Sequence, residues 1–181
     1  DQELHQRCAW TEQVTRPTVG RGWGGVWRWR VRLLGALLCG KPTWAALWAV
    51  PAFGARVRAA IDAWHPDIVQ IEYHIMAQYV YAMPPNSAPR LLVEHEPGVR
   101  SAPFPGQSKE GLGRAVYALD RWAWRRYERS IMAKVRGVVV FTHQDRCALE
   151  PLARKTPITC IPLGAECPAR AFDPLGGEPP T

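Results

Sequence analysis

A chain of 181 residues, 47% of them hydrophobic, holds enough apolar material for one well-cored domain, is short for two, and lacks the composition of a disordered protein. Its 23 Lys and Arg against 16 Asp and Glu leave a net charge of +7, which suits an anionic partner such as a membrane surface, phosphate groups or nucleic acid without choosing among them. No apolar run reaches the roughly 20 residues of a membrane span, and the opening DQELHQ lacks the basic, apolar and small-residue order of a signal peptide.

The chain opens without Met, so a processed chain or a fragment is expected. Asp1 to Gly20 is polar and patternless and reads as a loop or the remnant of a lost element. From Val26 to Leu38 the alternating Trp27, Arg28, Trp29, Arg30 could form a strand. Helix is the better reading, because Leu33, Leu34, Leu37 and Leu38 extend the apolar set at helical spacing, and Gly40 with Pro42 supplies the stop. Trp44 to Trp64 is a second, Ala-rich helical stretch that Pro51 and Gly54 are expected to break in two. In it Leu47, Val50, Val57 and Ile61 recur at the spacing of a helix packed on a sheet.

Asp67 to Tyr73 then reads as a strand, His74 to Ala82 as a short helix, MPPNSAP (83–89) as a turn, and Leu91 to Glu94 as a buried strand. Glu96 to Ser108, rich in Pro and Gly, is a long loop after a sheet strand, a place where function collects. Gly111 to Val135 is the longest helix, with Leu112, Val116, Leu119, Ala123, Tyr127 and Ile131 on one face and Arg114, Arg121, Arg125 and Arg129 elsewhere. Val138 to Phe141 is a β-branched run that reads as a strand buried on both faces. Asp145 to Arg154 is a helix with Thr142 or His143 at its N-cap, Ile158 to Ile161 is a strand, and Pro162, Leu163 and Gly164 form a turn. The Pro-rich tail 168–181 reads as an interdomain linker.

Strands alternating with helices in this order imply an α/β fold, a doubly wound, mostly parallel Rossmann-like sheet with helices on both faces. The five cysteines, Cys8, Cys39, Cys147, Cys160 and Cys167, are odd in number, scattered and without a C-x-x-C pair. They read as buried, reduced thiols of a cytosolic protein.

Three motifs in order carry a resemblance. PDIVQIEY (Pro66 to Tyr73), RLLVEHEPG (Arg90 to Gly98) and the strand, helix, strand unit from Arg136 to Glu166 resemble the first, acceptor-side domain of family-four retaining glycosyltransferases. The match spans roughly residues 66–166. One departure is Leu163, where the family's closing turn usually carries Asn before its Gly. The resemblance implies an incomplete domain of a two-domain glycosyltransferase B-type fold over residues 1–167, with residues 1–22 a poorly ordered remnant. The family's first strand and glycine loop have no match before Trp23, and its nucleotide-binding domain would follow the linker 168–181.

It further implies a nucleotide-sugar donor as substrate, a glycan or lipid-linked acceptor, no cofactor and no metal. The catalytic residue it implies is His95, which would line the cleft and donate a hydrogen bond to the departing phosphate. Thr142 and Gly164 would form the cleft floor, Gly164 through positive φ and close approach of a ligand. In a parallel sheet Glu72, His74, Glu96 and His143 emerge at the same edge and are expected to bind substrate. Two other readings stay open. His74, His95 and His143 with the nearby carboxylates could hold a metal in an α/β hydrolase, although no recognised ligand spacing is present. The chain could also be a non-enzymatic, basic nucleic-acid-binding α/β module. The Trp and Arg residues from Arg21 to Arg32 suit single-stranded nucleic acid, and suit better the headgroup layer of an anionic membrane at its cytoplasmic face.

Overall fold

Val138, Val139 and Val140 and the Val- and Ile-containing run after Asp67 assemble into the centre of the protein. The computed structural model describes residues 8–15, 23–85, 87–100 and 111–164. The elements in order are helix α1 (Trp23–Leu38), α2 (Thr43–Leu47), α3 (Pro51–Trp64), strand β1 (Val69–Glu72), a 3-10 helix (Met76–Ala82), β2 (Arg90–Glu94), α4 (Gly111–Met132), β3 (Gly137–Val140), α5 (His143–Ala153) and β4 (Ile158–Cys160). The protein is therefore an α/β fold with a Rossmann-like, all-parallel sheet in the order β1-β2-β3-β4.

Register explains the core. Ile71 pairs with Leu92, Leu92 with Val138, and Val138 with Ile158, so one row of side chains faces the same way across all four strands. Ile71, Leu92, Val138 and Val140 are buried in one cluster with Ile61 of α3, Val80 of the 3-10 helix, Tyr127 and Ile131 of α4 and Leu149 of α5. The alternate row is covered less. Gln70 and Glu72 are exposed, Leu91 and Val139 are half-buried, and Val93 is buried, these three apolar side chains lying outside that cluster. Burial of β3 on both faces is thus corrected: Val138 and Val140 are buried, whereas Val139 is only half so, because the described helices cover one side.

Local chemistry accounts for the helix boundaries. Pro51 opens α3 at its first turn, where a missing N–H costs nothing. The break before it is satisfied by Tyr79, whose hydroxyl accepts from Val50 N at 2.9 Å and donates to Trp48 O at 2.8 Å. Gly54, expected to break the helix, lies inside α3. A Cβ there would sit 3.3 Å from Ala82 Cβ, so the glycine serves close packing on the 3-10 helix. Thr142 caps α5 as expected, accepting from Asp145 N at 3.1 Å. The buried face of α4 carries Ala123, Tyr127 and Ile131 as read from the sequence, and also Asp120, Trp124 and Glu128. Asp120 accepts from Thr43 N at 2.9 Å and from its hydroxyl at 3.0 Å, which fixes the first turn of α2 to α4.

The cysteines depart from expectation. Cys8, Cys39 and Cys147 are exposed, and Cys160 is half-buried because β4 is the edge strand of the described sheet. Outside the described residues lie 1–7, 16–22, most of the loop read from Glu96 to Ser108 (101–108), Cys167 and the linker 168–181. The helices expected on the second face of the sheet are not among the described elements.

Candidate functional site at the carboxyl edge of the sheet

Parallel, in-register pairing brings the ends of β1, β2 and β3 together. Glu72 lies beside Val93, and Glu94 beside Val140. The residues that follow, Tyr73, His95 and Phe141, therefore collect at one edge, where open parallel sheets take their ligands. The His95 ring stands edge-on to Phe141 with centroids 5.1 Å apart, and to Tyr73 at 6.0 Å. Its Nε2 lies 2.7 Å from Glu72 Oε2, and the two side chains are 49% and 52% exposed. Gln70 donates a side-chain hydrogen bond to the other Glu72 oxygen.

Partial burial raises the Glu72 carboxyl, but the hydrogen bonds from His95 and Gln70 and the His95 charge outweigh it and hold the group below its usual range. Glu72 is then a carboxylate at neutral pH and can only accept, so His95 carries its proton on Nε2. The neutral ring offers a base at Nδ1. The imidazolium offers an Nδ1–H donor to an anion, with orientation fixed by Glu72.

His74 does not join this group. Tyr73 adopts φ 76°, a left-handed conformation costly for a bulky residue, and the chain turns inward. His74 and Glu94 are each 1% exposed, with Nδ1 2.9 Å from Glu94 Oε1, and the same oxygen accepts from His74 N at 3.1 Å. Tyr127 donates to His74 O at 2.8 Å, and Trp124 stands edge-on to the ring at 4.9 Å. Burial pushes His74 down to about 4, with Glu96 partly opposing, and pushes Glu94 well above the carboxylate range. The expected substrate-binding His74 is thus a neutral core residue.

Beside it lies Glu128, whose Oε1 accepts from Val99 N at 3.1 Å and so ties the turn after β2 to α4. Gly98 of that turn packs on Trp124 so tightly that a Cβ would lie 2.1 Å from Trp124 Cε3. Arg121 donates to Gly98 O at 3.1 Å. Burial, reinforced by Glu94, raises Glu128 to about 8, so it is protonated at neutral pH. Unfolding returns it to about its ordinary 4.5, so between these values the unfolded chain releases a proton that the fold retains. His74 has the opposite sign, since below its ordinary 6.5 and down to about 4 the unfolded chain takes up a proton that the fold refuses. Between pH 6.5 and 8 the raised carboxyls act without that opposition, and stability should fall as pH rises, by at most about 1.4 kcal/mol per pH unit for Glu128. Urea unfolding across this range measures the slope, which Glu128→Gln should flatten while keeping the acceptor for Val99. An unchanged slope in that variant would contradict the assignment.

The third strand end holds Thr142, whose hydroxyl accepts from Asp145 N and donates to Asp145 Oδ2 at 2.5 Å. Arg100, from the turn after β2, pairs with the buried Asp145 and donates to Gln144 at 3.0 Å, which fixes that turn to the start of α5. No sequence pattern marked Arg100; it lies inside a loop read only as functional. His143 and Glu96 are exposed. Gly164 is exposed and does not have positive φ, and a Cβ at that position would meet no atom within 4 Å, so neither close approach nor left-handed backbone explains it.

The three histidines of the metal reading are held apart by different partners: His74 by Glu94 in the core, His95 by Glu72 at the edge, and His143 on the surface. Among the described residues no three His, Cys, Asp or Glu side chains are placed to hold a metal ion. No family model, no curated protein and no solved structure matches the chain.

Proposed function

We propose that this chain supplies the acceptor side of a retaining, nucleotide-sugar-dependent glycosyltransferase that transfers a hexose to a glycan or lipid-linked acceptor in polysaccharide synthesis. A second domain would hold the nucleotide. The observation that carries the reading is the His95–Glu72 pair, half-exposed at the carboxyl edge of a parallel sheet, beside the Thr142-capped start of α5. Catalysis there would consist of positioning and of stabilising the leaving diphosphate, with the His95 imidazolium as donor and Glu72 as the group that orients it.

A cytoplasmic site at the membrane's inner face accords with the exposed Trp27, Val31, Leu34 and Leu38, which recur at helical spacing along α1, and with the exposed Arg30 and Arg32. Among the described residues no helix is long and apolar enough to cross a membrane.

Titration of the isotope-labelled two-domain enzyme with uridine, guanosine and adenosine diphosphate sugars, followed by NMR, tests the reading. Saturable shifts should centre on Glu72, His95 and Thr142 and weaken in His95→Ala. Shifts spread evenly over the surface, or none at this edge with any donor, would reject it.

A further inference from the structure

A cavity of about 840 Å³ lies between the end of α1, the 3-10 helix, α4 and the residue after α5. None of Glu72, His95, Thr142 or Gly164 lines it, so it is separate from the carboxyl-edge site. Five cationic side chains do: Lys41, Arg125, Arg126, Arg129 and Arg154. Among the described residues no carboxylate lines the cavity, and none of the five is in an ion pair. Like charges gathered without counter-charges repel one another, so an anion placed among them is favoured; at Lys41 burial, and then Arg32 from outside the cavity, lowers the pKa.

The arrangement is also built. Arg126 lies over the Trp122 ring, 5.9 Å from its centroid. Gly40, at φ 72°, makes room for it, since a Cβ there would fall 2.5 Å from Arg126 Cδ. The hydroxyls of the wall and one Gln78 N–H are already committed to the protein. Tyr81 donates to Ser130 at 2.9 Å, Ser130 to Tyr127 O at 2.7 Å, and Gln78 to Ile75 O at 3.0 Å. An anion would meet five cations here with no carboxylate on the described wall to compete for them. The volume is that of a small-molecule site, and guanidinium forks match phosphate oxygens in pairs.

We propose that this cavity binds a phosphomonoester or diphosphate group, carried either on a lipid headgroup or on a soluble molecule. Such binding does not depend on the transferase reading.

Two arms test it on the 181-residue chain: calorimetric titration with inorganic pyrophosphate, and flotation with phosphatidylcholine vesicles with and without phosphatidic acid. The double variant Arg126→Gln with Arg129→Gln removes two cations of the cavity. Arg56→Gln with Arg136→Gln removes the same charge from exposed positions outside it. Saturable binding in either arm, at least tenfold weaker in the first variant and unchanged in the second, supports the site, and the responding arm identifies the source. Equal weakening in both variants would mean diffuse attraction to a basic protein and would overturn the proposal. Absence of saturable binding in both arms would overturn it too.

Discussion

Replacing His74 with alanine should lower the stability of the fold by about 3 kcal/mol, the scale of opening a buried polar pair while leaving a cavity. The ring is closed in by Glu94, Trp124 and the Tyr127 bond to the His74 carbonyl, and no solvent reaches it to replace what is lost. Glu94 would keep its bond from His74 N and lose its contact with Nδ1. The rise of stability with pH between about 4 and 6.5, which arises because only the unfolded chain protonates His74 there, should vanish with the ring. Urea unfolding at several pH values reads both effects. A loss below about 0.5 kcal/mol, the range of an ordinary surface change, would show that His74 is not the core residue described.

The opposite profile is expected at His95. Its side chain is half-exposed and absent from the core cluster, so His95→Ala should leave the unfolding midpoint nearly unchanged. On the transferase reading, turnover by the two-domain enzyme should fall about a hundredfold, the scale of losing one donor to developing negative charge. Glu72→Gln tests positioning separately. The amide can no longer fix the proton on His95 Nε2 by charge, so its loss should be smaller and should change with pH differently from the parent enzyme. His143→Ala, at an exposed position, should cost little in either assay. Near-normal turnover in His95→Ala would remove the catalytic assignment.

These two histidines show where legibility stopped. Both follow a short hydrophobic strand, both sit close to a glutamate in sequence, and sequence reasoning sent both to the cleft. That His95 reaches the edge followed from the strand pattern, because a parallel sheet delivers the residue after β2 to its carboxyl end. That His74 does not depends on one backbone torsion at Tyr73, and nothing in the composition of Glu72, Tyr73 and His74 announces a left-handed turn. The same limit applies to α4. Its apolar stripe, Ala123, Tyr127 and Ile131, was visible as a 3.6-residue period. Nothing in that period marked Asp120 and Glu128 as buried; their partners, Thr43 from 77 residues away and Val99 from 29, place them in the packed face.

By itself, then, the sequence determined the alternation of strand and helix, the parallel sheet and the capped start of α5. These rest on interactions within a few residues, or on the period at which apolar side chains recur. The tertiary structure alone decided which histidine is buried and which carboxyls are protonated. It also decided that Lys41, four arginines and Trp122, from three separate segments, share one cavity. Those properties depend on desolvation and on charges brought together across long stretches of chain, and neither is encoded in local spacing.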